Sequence, residues 1–394
     1  AAAFGTDLGG SVQPIVGDAA GAFLDDEGLS GGNIDDAATA LTTVTGAINI
    51  DFGFDRDSTF LAFAAEQPGL SGLTSGGEVV HIALSTINGL PALIGYAGEG
   101  MANPVLIVTL DINAPGQEYT VTLLRPLDHH GAGEDTISLS IAFTATNGAG
   151  TVASTIQLDV NDDSPLVDGS AIEAAATIDP LAGAPVAHGG SLGISWGADR
   201  FNSHPDGGVS DTIGGNGDRS VVFTTATVGV SGLALSDEGS QATPVAQLSS
   251  SGAEVHFQLF ANGTVLVAYT GEAPATLPDI TGPEAPPNVV FVVTLSDTSD
   301  SGSYTVTQFR PLDHGSGNER FDALDLVFGY RATDSDGDAV SGEFTVRVTD
   351  DGPTTPGFSG AMTENENAVF TLVEGTDFSF GADVNGTVAL NAGD

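Results

Sequence analysis

The segment Tyr119-Thr-Val-Thr-Leu-Leu-Arg125-Pro126-Leu127-Asp128-His129 recurs 185 positions later as Tyr304-Thr-Val-Thr-Gln-Phe-Arg310-Pro311-Leu312-Asp313-His314. A chain that repeats itself at this distance is built from copies of one structural unit. Thr109-Leu110 returns at the same offset as Thr294-Leu295, and Val160-Asn161-Asp162-Asp163-Ser164-Pro165 returns as Val348-Thr349-Asp350-Asp351-Gly352-Pro353. A third landmark occurs three times, as Phe52-Gly53-Phe54-Asp55, Trp196-Gly197-Ala198-Asp199 and Phe380-Gly381-Ala382-Asp383. Its first two occurrences lie 144 positions apart and its last two 184. The second copy therefore carries insertions, placed near 202–219 and 272–288, where Gly, Asn, Asp and Pro mark surface loops. The expected organisation is residues 1–19 as the end of a preceding repeat or a linker, 20–164 as repeat one, 165–352 as repeat two and 353–394 as the start of a third. Such a chain is expected to be a piece of a longer array.

Between the landmarks lie short runs rich in Val, Ile, Thr and Leu, at 47–54, 78–84, 105–111, 119–124, 136–146 and 151–160. Several alternate apolar and polar residues, as Phe344-Thr-Val-Arg-Val348 does, which is the period of a strand with one buried face. Gly, Asn, Asp and Pro separate the runs at sandwich spacing. No segment keeps a 3.6-residue apolar period over three turns, and 34–41 offers a short helical turn at best. The spacing predicts an all-β chain of tandem antiparallel Ig-like β-sandwich domains in an elongated array.

Acidic residues number 52 against 8 basic ones, every basic residue is Arg, and the formal charge is −44. Such a surface repels phosphate backbones and anionic headgroups, so neither nucleic acid nor direct membrane insertion is an expected partner. It attracts cations. The absence of Cys excludes disulfides and thiolate metal sites.

The densest oxygen-donor pattern is Asp334-Ser335-Asp336-Gly337-Asp338, in which alternate carboxylates around a glycine turn can converge on one Ca2+. It is not an EF-hand, because Thr345 stands where the bidentate Glu belongs. Repeat one has Asn147-Gly-Ala-Gly-Thr151 there, so any site is lost or weakened. Asp162-Asp163 and Asp350-Asp351 sit where one repeat passes to the next, and paired carboxylates repel unless a cation neutralises them. The expected partners for a shared Ca2+ are Glu173 after the first junction and Glu364 or Glu366 after the second. Glu27, with Asp25 and Asp26, would play that role toward a preceding repeat. No repeated nucleophile–base set stands out, so no enzyme activity is expected. The Arg-Pro-Leu-Asp-His segment reads as structural, with Arg125 pairing Asp128 and Arg310 pairing Asp313.

Phe23-Leu24-Asp25-Asp26-Glu27-Gly28-Leu29, Gly69-Leu70-Ser-Gly-Leu-Thr-Ser-Gly76-Gly77-Glu78, Arg125-Pro-Leu-Asp128-His129 and Ala332-Thr333-Asp334-Ser335-Asp336-Gly337-Asp338, with Asp350-Asp351-Gly352-Pro353, together resemble the tandem repeats of giant type I-secreted adhesins of the repeats-in-toxin kind. The resemblance implies a secreted protein of a bacterial cell surface or biofilm matrix, whose repeats act as calcium-stiffened extenders. The implied partners are neighbouring repeats of the same chain, a self-associating copy, and a surface receptor or matrix. The chain departs from the family in lacking a run of glycine-rich calcium nonapeptides, since Gly214-Gly215-Asn216-Gly217-Asp218 is a single near miss. The rival readings are a self-assembling extracellular filament or surface-layer subunit and, behind it, a carbohydrate-binding module or hydrolase.

Overall fold

Asn88 and Gly89 both take the left-handed conformation (φ 53° and 82°) and close a two-residue hairpin between strands Glu78–Ile87 and Leu90–Ala97. An Asn-Gly pair adopts this turn readily, and its twist matches that of the flanking strands. The computed structural model describes residues 13–16, 21–34, 39–53, 58–172, 176–178, 185–204, 215–234, 241–244, 247–280, 286–314 and 323–350. The expected third repeat at 353–394, and the middle of each expected insertion, lie outside the described residues. So do residues 35–38 of the expected turn at 34–41. The described residues are strands, turns and three single-turn 3-10 helices, an all-β fold. They divide into two compact units. The first comprises the described residues of Ala1–Val167, Ile194–Val221 and Ala332–Val340; the second, those of Asp168–Gly193, Val222–Arg331 and Ser341–Asp394.

In the first unit a six-stranded sheet runs in the order Thr43–Ala47, Glu118–Leu123, Pro104–Asp111, Leu90–Ala97, Glu78–Ile87, Thr74–Ser75. A four-stranded sheet runs Ala22–Asp25, Gly150–Asn161, Thr136–Asn147, Phe60–Phe63. Every second residue of Thr136–Asn147 from Leu139 to Ala145 is buried, as are Ile156, Leu158 and Val160 of its neighbour. They share one core with Val108, Leu110, Tyr119 and Val121 of the larger sheet, which makes the unit a two-sheet sandwich. Burying each such side chain contributes about 1.5–3 kcal/mol, so the alternation fixes the register.

The second unit repeats the larger sheet, in the order Val186–Ser191, Ser303–Gln308, Val289–Ser296, Val265–Thr270, Ala253–Phe260, Ser249–Ser250. The likeness reaches single residues. Tyr119 lies opposite Gly46 and Tyr304 opposite Gly190, each ring covering a glycine where a Cβ would collide with it. A bulge between Gly95 and Tyr96 returns between Ala268 and Tyr269, and each tyrosine stacks at a tilt on a cross-strand histidine, His81 or His256.

Three findings differ from the sequence expectation. The sheets are not wholly antiparallel, because Ala22–Asp25 pairs parallel with Gly150–Asn161 and Ala176–Ile178 parallel with Ala339–Thr349. Partners separated by most of a repeat are joined by no hairpin, so nothing forces opposite directions. The expected strand at 47–54 is broken into Thr43–Ala47 and Ile50–Asp51 by Asn49 at φ 58°. Strand Leu90–Ala97 was hidden by Pro91, which is tolerated here one residue past the hairpin turn.

Candidate metal centre

Asp162 follows directly on strand Gly150–Asn161 and is 1% exposed. Its Oδ1 accepts the N–H of Asp163 at 2.9 Å, and its Oδ2 is buried with no hydrogen-bond partner. Three other aspartates show the same division. Asp26, in the 3-10 turn Asp26–Gly28, accepts from Leu127 N–H at 3.0 Å through Oδ2 and leaves Oδ1 unpartnered. Asp334 accepts from Gly337 and Asp338 N–H at 3.0 and 2.8 Å through Oδ1 and leaves Oδ2. Asp336 accepts from His129 N–H at 3.0 Å through Oδ2 and leaves Oδ1. A fifth, Asp199, is 0% exposed and has no partner for either oxygen.

Each stretch has a local reason for its position. The Asp334–Asp338 turn is closed by the two amides on Asp334 Oδ1 and by Asp334 N–H to Asp338 O at 2.9 Å, with Gly337 at φ 127°. Gly197 takes φ 75°, and a Cβ there would meet the Asp163 carboxylate. Its turn lets Ala198 donate to Asp163 Oδ2 at 2.6 Å and carries the chain to Asp199. Ser335 N–H, bonded to Asp199 O at 2.9 Å, ties the last two stretches together.

Carboxylate oxygens of Asp162, Asp199 and Asp336 lie within 4.8 Å of one another, and those of Asp26 and Asp162 lie within the same distance of a ring nitrogen of His129. Burial, then the charges of its neighbours, pushes the Asp162 carboxyl up to about 10. Burial and the adjacent Asp336 push Asp334 up to about 10 as well. Burial first, then neighbouring aspartates, raises Asp26 and Asp199 well above the usual carboxylate range. Asp163 is raised to about 6 by burial, against the opposing bonds from Ala198 and Asn33. Buried like charges of this kind are costly unless a cation compensates them. Ca2+ takes six to eight oxygens at about 2.3–2.6 Å, and oxygens up to 4.8 Å apart can share such an ion.

Of the sequence candidates, the structure brings Asp162, Asp334 and Asp336 into this cluster. Asp338 stands at its margin, accepting from Ser164 Oγ at 2.9 Å and Gly133 N–H at 3.0 Å. Asp163 holds the backbone of Asn33 and Ala198. Glu27 is buried beside Asp26. Asp350 is elsewhere, 3.7 Å from His314. Glu173, Asp351 and Glu364 lie outside the described residues. The turn and the first junction, expected as separate sites, thus meet in one. Sequence reasoning did not assign Asp199 or His129 as ligands. The signal for Asp199 was the aspartate ending all three copies of the aromatic-Gly landmark.

The expected pairing of Arg125 with Asp128 is not formed. Asp128 accepts the N–H groups of Gly76 and Gly77 at 2.5 and 2.9 Å, and Asp313 accepts that of Gly252 at 2.8 Å. Arg125 lies over the Phe201 ring and Arg310 donates to Val289 O. Glycine turns present bare amides close to the carboxylate, and bonds to these fixed donors cost less side-chain freedom than holding an arginine.

No known protein family matches the chain, and no curated protein does. Among solved structures, it is similar to titin domains Z1Z2 in complex with telethonin (10% identity, 86% of this chain and 96% of that one, TM-score 0.28). It is also similar to the titin Ig tandem A164–A165 (7%, 85% and 96%, TM-score 0.16) and to the endo-fucoidan hydrolase MfFcnA9 of glycoside hydrolase family 107 (11%, 75% and 32%, TM-score 0.17). Likeness at these scores carries no argument about function.

Proposed function

We propose that this chain is a non-catalytic structural segment of a secreted bacterial surface adhesin or biofilm-matrix protein, whose tandem Ig-like sandwiches serve as an extender stiffened by Ca2+. The observation that carries the calcium reading is the shared habit of Asp26, Asp162, Asp334 and Asp336: one oxygen fixed by a backbone amide, the other buried and unpartnered. Carboxylates held this way are oriented before an ion arrives, so binding costs little side-chain entropy. Ca2+ shared by Asp162, Asp199 and Asp336 would fasten three distant stretches of chain together. The motif resemblance supplies the adhesin context, and the repeated strand order of the larger sheets supports a modular, load-bearing role over a catalytic one.

Thermal unfolding in Ca2+ and then in chelator tests the reading. With free ion at ten times the dissociation constant, one site adds about 1.4 kcal/mol. Equal melting temperatures in the two conditions would sink it.

A further inference from the structure

Asp162 belongs to both groups of converging donors, and the second contains an imidazole. His129 is 2% exposed. Its Nδ1 lies 2.8 Å from Asp135 Oδ1, and its Nε2 is buried with no hydrogen-bond partner. With Nδ1–H donated to Asp135, the Nε2 lone pair is the one a metal ion would take. Asp26 Oδ1 and Asp162 Oδ2 are likewise buried and unpartnered. A carboxylate behind the ring, with carboxyl oxygens of Asp26 and Asp162 within 4.8 Å of a ring nitrogen, is how a metal-ligating histidine is oriented.

Calcium chemistry does not account for the ring, because Ca2+ draws its ligands from oxygen. Imidazole with two carboxylates suits a borderline first-row divalent ion, of which Zn2+ is the type. Two ionised carboxylates and a neutral ring also balance one divalent charge. The equivalent His314 is arranged differently, with Nδ1 3.0 Å from Leu312 O and Nε2 3.1 Å from Val348 O. His314 Nδ1 also lies 3.7 Å from Asp350 Oδ1, but its Nε2 has a carbonyl partner where that of His129 has none, so His129 needs its own explanation.

We propose that Asp26, His129 and Asp162 form a second metal position, selective for a Zn2+-class transition ion, adjoining the calcium position and sharing Asp162 with it. The inference rests on the reading of the cluster as a cation site and adds a chemically distinct subsite to it.

Co2+, a spectroscopic stand-in for Zn2+, tests this on the full chain, stripped of metal and then held in saturating Ca2+. One equivalent of Co2+ is expected to bind, with visible d–d absorption and a hyperfine-shifted, exchangeable imidazole N–H signal from the unsubstituted protein. His129→Gln should abolish the signal and weaken binding at least tenfold, while keeping the Ca2+ increment in melting temperature. His314→Gln should change neither. Asp135→Asn, which only loosens the ring, should weaken Co2+ binding by about 10–100-fold. Absence of the shifted N–H in the unsubstituted protein overturns the proposal without any variant having to fold. Full displacement of Co2+ by Ca2+ also overturns it, since that means one position and not two. Co2+ bound through His129 in a protein whose melting Ca2+ leaves unchanged would uphold this subsite and remove the calcium reading alone.

Discussion

Asp336 accepts the N–H of His129 across 207 positions of chain, and that one bond fixes the direction of a carboxylate whose other oxygen stands with those of Asp162 and Asp199. An amide that orients one oxygen makes the other available at no further entropic cost. Backbone donors, and not neutralising side chains, orient Asp26, Asp162, Asp334 and Asp336, so these residues are expected to behave oppositely with and without an ion.

Asp199→Asn is the sharpest probe of that opposition. In chelator it removes a buried carboxyl whose ionisation burial opposes and whose oxygens have no partner, so the melting temperature should rise or stay level. In Ca2+ it removes a ligand, and the calcium increment of about 1.4 kcal/mol at ten times the dissociation constant should shrink or vanish. Asp336→Ala should likewise lose the increment. Differential scanning calorimetry in both conditions reads the crossing, and a variant that melts lower by equal amounts in each would show Asp199 to be an ordinary structural residue.

The ion-free protein should lose stability as pH rises. Asp162 and Asp334 are held up to about 10 in the fold, whereas an unfolded aspartate titrates near 4. Between those values the folded state binds more protons than the unfolded one, so unfolding becomes easier with increasing pH. Ca2+ bound at the cluster would displace those protons, so its contribution is expected to grow over the same window. Melting temperatures at pH 5 and pH 8 test this: in chelator the pH 5 value should be higher, and Asp162→Asn should flatten the difference. A chelated protein that gains stability from pH 5 to pH 8 would contradict the assignment.

Gly46→Val and Gly190→Val should each destabilise their own unit, by roughly 1–3 kcal/mol or more, because the new side chain must displace the Tyr119 or Tyr304 ring. Denaturant titration should show the loss in calcium and in chelator alike. Neutral behaviour at both positions would mean the rings are free to swing aside.

Asp128→Ala should cost about 1–3 kcal/mol by orphaning the amides of Gly76 and Gly77. Arg125→Ala should not reproduce that loss through Asp128, since the two do not pair. Their double-mutant cycle is expected to give a coupling near zero, and a strong coupling would restore the ion pair.

The all-β architecture, the duplication and much of the strand pattern were legible in the sequence, because alternation and turn residues act over a few positions and are written there directly. Strand 105–111 is an example: each of its buried positions, Val105, Leu106, Val108 and Leu110, is apolar. The parallel partner of Ala22–Asp25 was not legible, since pairing across 130 or more residues leaves no local mark. The same division runs through the site. The sequence by itself determined that aspartates crowd at 162–163 and 334–338, a spacing that any reader of calcium ligands would stop at. Only the tertiary structure decided that Asp162 joins Asp199 and Asp336 in one group of donors and Asp26 and His129 in another, while Asp350, in the corresponding Asp-Asp pair of the second repeat, lies beside His314. A shared Asp-Asp pair along the chain does not fix which backbone amides a carboxylate meets, and those amides, by taking one oxygen and leaving the other buried, are what turn an acidic turn into a candidate metal ligand.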